Sequence, residues 1–123
     1  MLEVEGFRLG RRELEIMNVI WDVGEATVQD VCDRLDGARY TTVQTMLRTL
    51  EAKGLLSHRV VQRSFVFRAV ISRRRVQICK LDELRSAMFR GSTTELFSSM
   101  LNHVAMTPEE LGELCRLIDG IRR

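Results

Sequence analysis

Apolar side chains at helical spacing predict a helix in the middle of the chain, between residues 40 and 54. They occupy positions i, i+3, i+4 and i+7, which form one helix face: Val43, Met46, Leu47 and Leu50. Thr41, with Gln44 three residues later, predicts a capping box at the helix start, and Gly54 predicts its end. The remaining face is polar, although it holds a single acid, Glu51, close to its end.

The polar face of this helix carries small hydroxyls, an amide and an arginine instead of the Glu and Lys pairs that support a solvated helix. Such side chains contact base edges and phosphates in the major groove of DNA. We therefore interpret the segment as a recognition helix with these candidate contacts: Thr41, Thr42, Gln44, Thr45 and Arg48. The Gln44 amide suits adenine, Arg48 suits guanine or phosphate, and the threonine methyl groups suit the thymine methyl.

Two helical patterns precede the recognition helix. Residues 11–23 form a helix with apolar positions on two sides, and Gly24 ends it. Thr27, with Asp30 at the N3 position, predicts the start of a second helix, and Asp36-Gly37 predicts the turn after it. A short helix joined by a tight turn to a helix that exposes polar side chains is a helix-turn-helix.

The hydrophobic period changes from that of a helix to that of a strand after Gly54. Two alternating segments flank Gln62-Arg63-Ser64, which predicts a β-hairpin with a turn at these residues. Three helices followed by a hairpin have the order of a winged helix. Three arginines of the hairpin are candidate phosphate or minor-groove contacts: Arg59, Arg63 and Arg68. The alternative is an exposed hairpin whose arginines serve only solvation.

Three further helices are predicted in residues 73–123, with starts at Ser72, Ser92 and Thr107. The first begins with three arginines that oppose the helix dipole, so Arg73 is a further candidate contact to the DNA backbone. These helices are too small for an independent core. Their wide apolar stripes predict an intertwined homodimer through this set: Leu84, Met88, Leu96, Phe97, Met100, Leu101, Leu111, Leu114 and Ile118. The alternative is a monomer in which they fold back on the winged helix.

The predicted fold is therefore mostly α with a small β-hairpin. A winged helix-turn-helix occupies residues 1–72, and a helical dimerisation region occupies residues 73–123. Net charge is −5 in residues 1–38, +8 in residues 39–75 and −1 in residues 76–123, which gives the formal +2 of the chain. The positive segment holds the recognition helix and the hairpin, as a nucleic-acid-binding surface requires. A solvated basic surface is the alternative.

The sequence predicts no metal site, cofactor or catalytic centre. The three cysteines, Cys32, Cys79 and Cys115, lie far apart in apolar helical patterns without Cys-x-x-Cys spacing. His58 and His103 have no Asp, Glu or Cys at a catalytic or metal-binding spacing, and His58 is expected to be a half-buried strand residue. Neither a signal peptide nor an apolar run long enough for membrane insertion is visible. We therefore expect a cytoplasmic protein.

Several strings of residues have a specific combined pattern. The most specific are Tyr40-Thr41-Thr42-Val43-Gln44-Thr45-Met46-Leu47 and Leu50-Glu51-Ala52-Lys53-Gly54. With the hairpin segment Arg63-Ser64-Phe65-Val66-Phe67 and the helix start Thr107-Pro108-Glu109-Glu110-Leu111, they resemble the penicillinase and methicillin-resistance repressors, the BlaI/MecI/CopY group. The likeness extends over nearly the whole chain.

This resemblance implies a dimeric winged-helix repressor that binds an inverted-repeat operator in double-stranded DNA and blocks transcription. It also implies a partner, a membrane sensor with a zinc protease domain, that triggers cleavage in the dimerisation region. In the family this cut falls at an Asn-Phe bond, and the matching residues here are Asn102 and His103. The chain also has Gln62 where the family usually has a wing glycine. It lacks the Cys-x-Cys motifs of the copper-responsive branch, which argues against copper sensing by that route.

Two other classes of function stay open at this point. A winged helix that binds another protein should have a more apolar recognition face and would not need the concentrated positive charge. A cysteine-based redox or metal-responsive regulator would need an exposed thiol with a low pKa.

Overall fold

The computed structural model describes residues 8–122, so residues 1–7 of the predicted first domain, and residue 123, lie outside the described residues. Six helices and three strands follow in the order α1, β1, α2, α3, β2, β3, α4, α5, α6. The helices are α1 (Arg11–Val23), α2 (Val28–Arg34), α3 (Tyr40–Ala52), α4 (Arg73–Phe89), α5 (Thr93–His103) and α6 (Pro108–Arg122). The strands are β1 (Glu25–Ala26), β2 (Leu56–Val61) and β3 (Ser64–Ala69). The predicted mostly α fold with a hairpin after the third helix is confirmed.

The sheet has one strand more than the sequence predicts. Its order is β1-β3-β2, with both pairings antiparallel. Val61 pairs with Ser64, which leaves Gln62 and Arg63 as a two-residue hairpin loop with φ angles of 48° and 66°. Positive φ at both central residues is the feature of a type I′ turn, which usually contains glycine or asparagine. The wing turn therefore forms here without the glycine that the resemblance leads one to expect.

The core of the N-terminal part lies between α1, α2, α3 and the sheet. The largest fully buried side chains include Ile16 and Ile20 of α1, Leu47 and Leu50 of α3, and Phe67 of β3. The first turns of α4 complete it, because Val76 and Cys79 are also buried in the same cluster. Alternation along β3 points Phe67 into this core, and this fixes which sheet face lies against α3.

Side-chain caps explain where most helices begin. The Thr27 hydroxyl accepts from the Asp30 N–H at 3.1 Å, and the Asp30 carboxylate accepts from the Thr27 N–H at 2.9 Å. Hydroxyls also accept at the three predicted C-terminal starts: Ser72, Ser92 and Thr107. The prediction for Thr41 is wrong, because α3 already begins at Tyr40 and its N-cap is Arg39, without a side-chain cap. Arg39 has the extended backbone of an N-cap and its carbonyl accepts from the Val43 N–H at 3.0 Å, so Thr41 lies inside the first turn.

The chain consists of two compact units, one ending at Lys80 and the other starting at Leu81, within the residue range of α4. The division into domains 1–72 and 73–123 stays a prediction. In the second unit, α5 and α6 have no buried residue. Large apolar side chains are instead exposed to solvent there, among them Met88 at 71% and Phe97 at 55%.

Candidate nucleic-acid interface

The outward-facing side chains of α3 fall into three rows along its axis. Successive residues are rotated by about 100° around an α-helix, so Tyr40, Gln44 and Arg48 follow one another along one flank. Thr42 lies on the opposite flank, about 160° around the axis from Gln44. Thr41 and Thr45 lie on the crest between the two flanks and are exposed. The five predicted contacts of α3 therefore occupy the crest and both flanks.

The flank with Gln44 and Arg48 faces the wing across a cleft of about 300 Å³, which we call the wing-side cleft. Arg63 of the hairpin loop lies on its other side, so three of the predicted contacts converge on one space. Thr27 and Gln29 of the second helix region, Tyr40, Ser64, and the rings of Phe65 and Phe67 complete most of its lining. Two guanidiniums and an amide above aromatic rings can accept both anionic oxygens and base edges.

Sequence reasoning did not name Tyr40 as a candidate, although the signal was present. Tyr40 precedes Gln44 by four residues and Arg48 by eight, which places all three on one flank. Its side chain is 48% exposed and lines the wing-side cleft. Gln29 and Ser64 were also missed, and no local pattern could have found them, since α2 and the wing meet only in the folded chain.

The hydroxyls of α3 are partly used within the helix. Thr45 Oγ1 donates to the Thr41 carbonyl at 3.0 Å, and Thr49 Oγ1 donates to the Thr45 carbonyl at 3.0 Å. In this arrangement the Thr45 hydroxyl has no second proton to donate to a base. What it can still offer a ligand is its lone pairs and its methyl group.

Arg59 and Arg68 lie on the sheet face opposite to Phe67. The Arg59 guanidinium donates to both carboxylate oxygens of Glu25, at 2.9 and 3.0 Å. This hydrogen bond lowers the pKa of Glu25, in spite of some desolvation that raises it. Arg68 pairs with Ser57 in the strand register, and its Nε donates to the Ser57 hydroxyl at 3.4 Å. Neither arginine lines the wing-side cleft.

Arg73 is held by the C-terminal part of α1. Its Nη2 donates to Asp22 Oδ1 at 2.6 Å and to the Asn18 carbonyl at 3.2 Å. The guanidinium also lies 5.4 Å from the centroid of the Trp21 ring, in cation–π geometry. An acidic side chain of the same chain therefore compensates one of the three arginines that begin α4, and Arg73 lies outside the wing-side cleft.

The expectation that His58 has no acidic neighbour is wrong. Its Nδ1 lies 2.6 Å from Glu51 Oε2, at the C-terminal end of α3. The imidazole stacks on Phe65 with a centroid distance of 4.0 Å, and 28% of the side chain is exposed. Glu51 precedes His58 by seven residues with a helix end between them, so no helical or strand spacing indicates the pair. The contact joins α3 to the wing.

The thiols have different environments. Burial, with a smaller contribution from Asp33, raises the pKa of the Cys32 thiol, which makes it a poor thiolate. Cys79 is buried, whereas Cys115 is exposed and so differs from the expectation of an apolar helical position. In the part of the chain that the structure describes, no group of three His, Cys, Asp or Glu side chains is arranged to hold a metal ion. None of the described helices has the length and apolar character to cross a membrane.

Most of the predicted dimerisation residues present apolar surface to solvent. Seven are exposed: Leu84, Met88, Phe97, Met100, Leu101, Leu111 and Ile118. Leu96 and Leu114 are partly buried. Asn102 and His103 are the last two residues of α5, both exposed, and Asn102 Nδ2 donates to Ser98 Oγ at 3.3 Å.

The sequence pattern that defines the penicillinase repressors matches residues 9–120. The chain belongs to the penicillinase repressor family. A penicillinase repressor of Bacillus licheniformis is 27% identical over 110 residues, which cover 87% of this chain and 86% of the relative. The family consists of DNA-binding regulators, so this member is a regulator and not an enzyme.

Two solved structures are similar to this repressor-family chain in fold. A MarR family protein from Bacillus stearothermophilus has a TM-score of 0.52 and 13% identity, with 94% of this chain and 74% of that chain covered. Streptococcus pneumoniae FabT in complex with DNA has a TM-score of 0.50 and 19% identity, with 97% and 79% covered. Both likenesses concern the fold alone and agree with the winged-helix arrangement.

Proposed function

We propose that this chain represses transcription as a homodimer that binds an inverted-repeat operator, with α3 of each subunit in a major groove. One observation carries the proposal: Gln44 and Arg48 of α3 and Arg63 of the wing turn converge on the wing-side cleft. A cleft with two guanidiniums has no use in the core. It can hold a negatively charged ligand that reaches both α3 and the wing, as a DNA duplex does.

The contact residues have separate roles in this proposal. Gln44 reads adenine, and Arg48 binds a guanine edge or the phosphate next to it. Thr41 and Thr45 on the crest contact thymine methyl groups, since the Thr45 hydroxyl already donates to the backbone. Arg63 binds a phosphate beside the groove. Arg59, Arg68 and Arg73 have partners within the chain, so we expect them to contribute less to DNA affinity.

A second copy of the chain is the proposed cover for the apolar faces of α4, α5 and α6. Soluble chains rarely leave large contiguous apolar patches in water. Here helix after helix exposes them, and α5 and α6 bury nothing within the subunit. Dimerisation would bury these faces and present two α3 helices to half-sites one helical turn apart, roughly 34–36 Å, or a multiple of it.

Derepression by proteolysis is the finer part of the proposal and rests on the family resemblance. A membrane sensor with a protease domain would cut at Asn102–His103. The bond lies at the exposed C-terminal end of α5, followed by Val104 in an extended conformation. A helix end opens more readily than a helix centre. Incubation with the sensor's protease domain and mass spectrometry should give an N-terminal fragment ending at Asn102; cuts elsewhere would contradict this site.

A gel-shift titration on DNA from upstream of the chain's own gene tests DNA recognition. We expect site-selective binding that weakens steeply between about 50 and 200 mM salt, and loss of that binding in Arg48→Ala. Arg116→Ala is the matched control, because Arg116 lies on α6 in an ion pair with Glu113. Equal affinity for this DNA and for random DNA, unchanged by Arg48→Ala, would contradict the proposal.

Sedimentation equilibrium tests the dimer. Met88→Asp introduces a charge into the apolar surface of α4 and should shift the chain to monomers. Ser86→Asp is the control, because position 86 is rotated by about 160° around the same helix and is also exposed. A wild-type monomer, or equal effects of the two variants, would contradict dimerisation through this face.

A further inference from the structure

A second basic surface lies on the flank of α3 that faces away from the wing. It surrounds a hollow of about 210 Å³, which we call the loop-side hollow, between α1, α3 and the loop of residues 35–39. Arg12, Arg39 and Thr42 contribute its polar edge. Leu35, Ala38 and Met46 contribute apolar surface. Thr42 is the one predicted DNA contact that lies here, on the opposite flank from Gln44.

The two arginines of this hollow are exposed. Arg12 has an ion pair with Glu15 at 3.1 Å, and its Nη2 donates weakly to the Asp36 carbonyl at 3.4 Å. The Arg12–Asp36 contact holds the guanidinium toward the loop before α3. Arg39 is the N-cap of α3, and among residues 8–122 no acidic side chain forms an ion pair with it. A ligand with negative charge could therefore bind Arg39 without breaking an existing pair.

The position of the hollow relative to the wing-side cleft indicates the ligand. A helix with its side chains is about 10–12 Å across and fills a major groove about 12 Å wide. Each flank of such a helix therefore faces one of the two phosphate strands. Arg48 and Arg63 lie on one flank of α3, and Arg12 and Arg39 lie on the other.

We propose that Arg12 and Arg39 bind backbone phosphates of the DNA strand opposite to the one that Arg48 and Arg63 contact. This inference rests on the proposed function and adds a second phosphate site to it. The two sites together would hold α3 centred in the groove and leave Thr41 and Thr45 over the bases.

The start of α3 supports the same ligand. The N-cap side chain does not cap the first turn, so the N–H groups there have no side-chain acceptor from that residue. A phosphate beside Arg39 would accept from these N–H groups and would also interact favourably with the positive end of the helix dipole. The Thr42 hydroxyl at the edge of the hollow offers one more donor.

A small-molecule ligand fits the hollow less well. Its volume of about 210 Å³ is below the 300 Å³ or so at which ligand pockets begin. Two arginines at the rim of a shallow surface are instead typical of contacts to a nucleic-acid backbone.

Fluorescence anisotropy with the tightest-binding duplex from the gel-shift titration and with a random duplex tests the inference over a range of salt concentrations. Arg39→Ala should weaken binding of both duplexes by a similar factor and reduce the salt slope by about 0.9 for each phosphate that the variant no longer binds. Arg12→Ala should act in the same direction, and Arg39→Lys should keep the slope. Arg34→Ala is the matched control, because Arg34 is exposed at the end of α2 but lines neither space.

The outcomes separate this inference from the proposed function. If Arg39→Ala and Arg12→Ala behave like Arg34→Ala while Arg48→Ala loses operator binding, the second phosphate site is wrong and the proposed function stands. If Arg39→Ala changes the ratio of operator to random affinity, Arg39 contacts a base and the phosphate assignment is wrong. If the wild type does not prefer any duplex, the proposed function itself fails.

Discussion

Arg59 and Glu25 form a two-point ion pair across the sheet, with Nε–Oε2 at 2.9 Å and Nη2–Oε1 at 3.0 Å. The residues are 34 positions apart in the chain and lie on β2 and β1, the two outer strands. The pair links the two edges of the sheet across β3. It also means that Arg59 would have to leave a carboxylate before it could bind a phosphate.

The first prediction compares two arginines of the wing. Arg63→Ala should reduce operator affinity and lower the salt slope by about 0.9, the value for one phosphate contact. Arg59→Ala should leave the slope unchanged, because its guanidinium is already paired with Glu25. Anisotropy titrations at several salt concentrations measure both slopes. An Arg59→Ala slope as low as that of Arg63→Ala would show that the Glu25 pair opens on DNA.

The second prediction concerns Glu13 and Lys53, which join the start of α1 to the end of α3 at 2.9 Å. Burial raises the pKa of Glu13, but the hydrogen bond from the Gly10 N–H and the pairing with Lys53 together lower it below its ordinary value. A carboxyl whose pKa is lower in the folded state stabilises the fold above its unfolded pKa of about 4.3. The contribution is lost as the pH falls through that value and then through the lower folded value.

Glu13→Gln should therefore cost about 1 kcal/mol of unfolding free energy at pH 7. The difference from wild type should shrink when the pH falls below about 4. Urea unfolding at both pH values provides the measurement. Glu15→Gln is the control, because its side chain is 39% exposed in an i,i+3 pair on the surface and such pairs contribute little. A Glu13→Gln difference that grows in acid would contradict the pKa direction.

The sequence predicted the elements whose signals are local. The boundaries of α1, the Thr27 capping box and the hairpin with its turn are local patterns of period, cap and loop, and each is confirmed. The apolar face of α3 was predicted for the same reason. The start of α3 was wrong by one residue, because the preference for threonine at an N-cap is weak enough for Arg39 to occupy that place.

The candidate site was less accessible to sequence reasoning, because its geometry depends on contacts between distant residues. The two-residue strand β1 has no alternation to recognise and exists because Glu25 and Ala26 pair with β3. Charge counts alone treated Arg59 and Arg73 as available cations. Folding brings Glu25 and Asp22 to them from 34 and 51 positions away. Long-range neutralisation of this kind cannot be read from charge density along the chain.

The third prediction concerns the wing turn. Gln62 has a φ of 48°, in the left-handed region that costs a residue with a Cβ atom. Gln62→Gly should therefore raise the unfolding free energy by about 0.5 kcal/mol after the greater entropy of glycine in the unfolded chain is subtracted. Gln77→Gly, in the exposed surface of α4, should act in the opposite direction by about 1 kcal/mol. Thermal melts of both variants measure the pair, and destabilisation by Gln62→Gly would contradict the account of the turn.

The fourth prediction concerns the chemistry of Thr45. Because its hydroxyl donates to the Thr41 carbonyl, its contact with DNA should come from the methyl group. Thr45→Val keeps a methyl at that place and should retain operator selectivity, whereas Thr45→Ser should reduce it. Competition of operator against random duplex measures the selectivity of each variant. Loss of selectivity in Thr45→Val with retention in Thr45→Ser would instead show that the hydroxyl is the reading group.

The most direct test of the central claim is a hydroxyl-radical footprint of the wild-type chain on its operator, with Arg48→Ala beside it. The account predicts two protected patches related by twofold symmetry, with centres about 10 bp or a multiple of this apart, and their disappearance in Arg48→Ala. A single asymmetric patch, or a footprint that Arg48→Ala leaves unchanged, would contradict a dimer that places α3 in two major grooves.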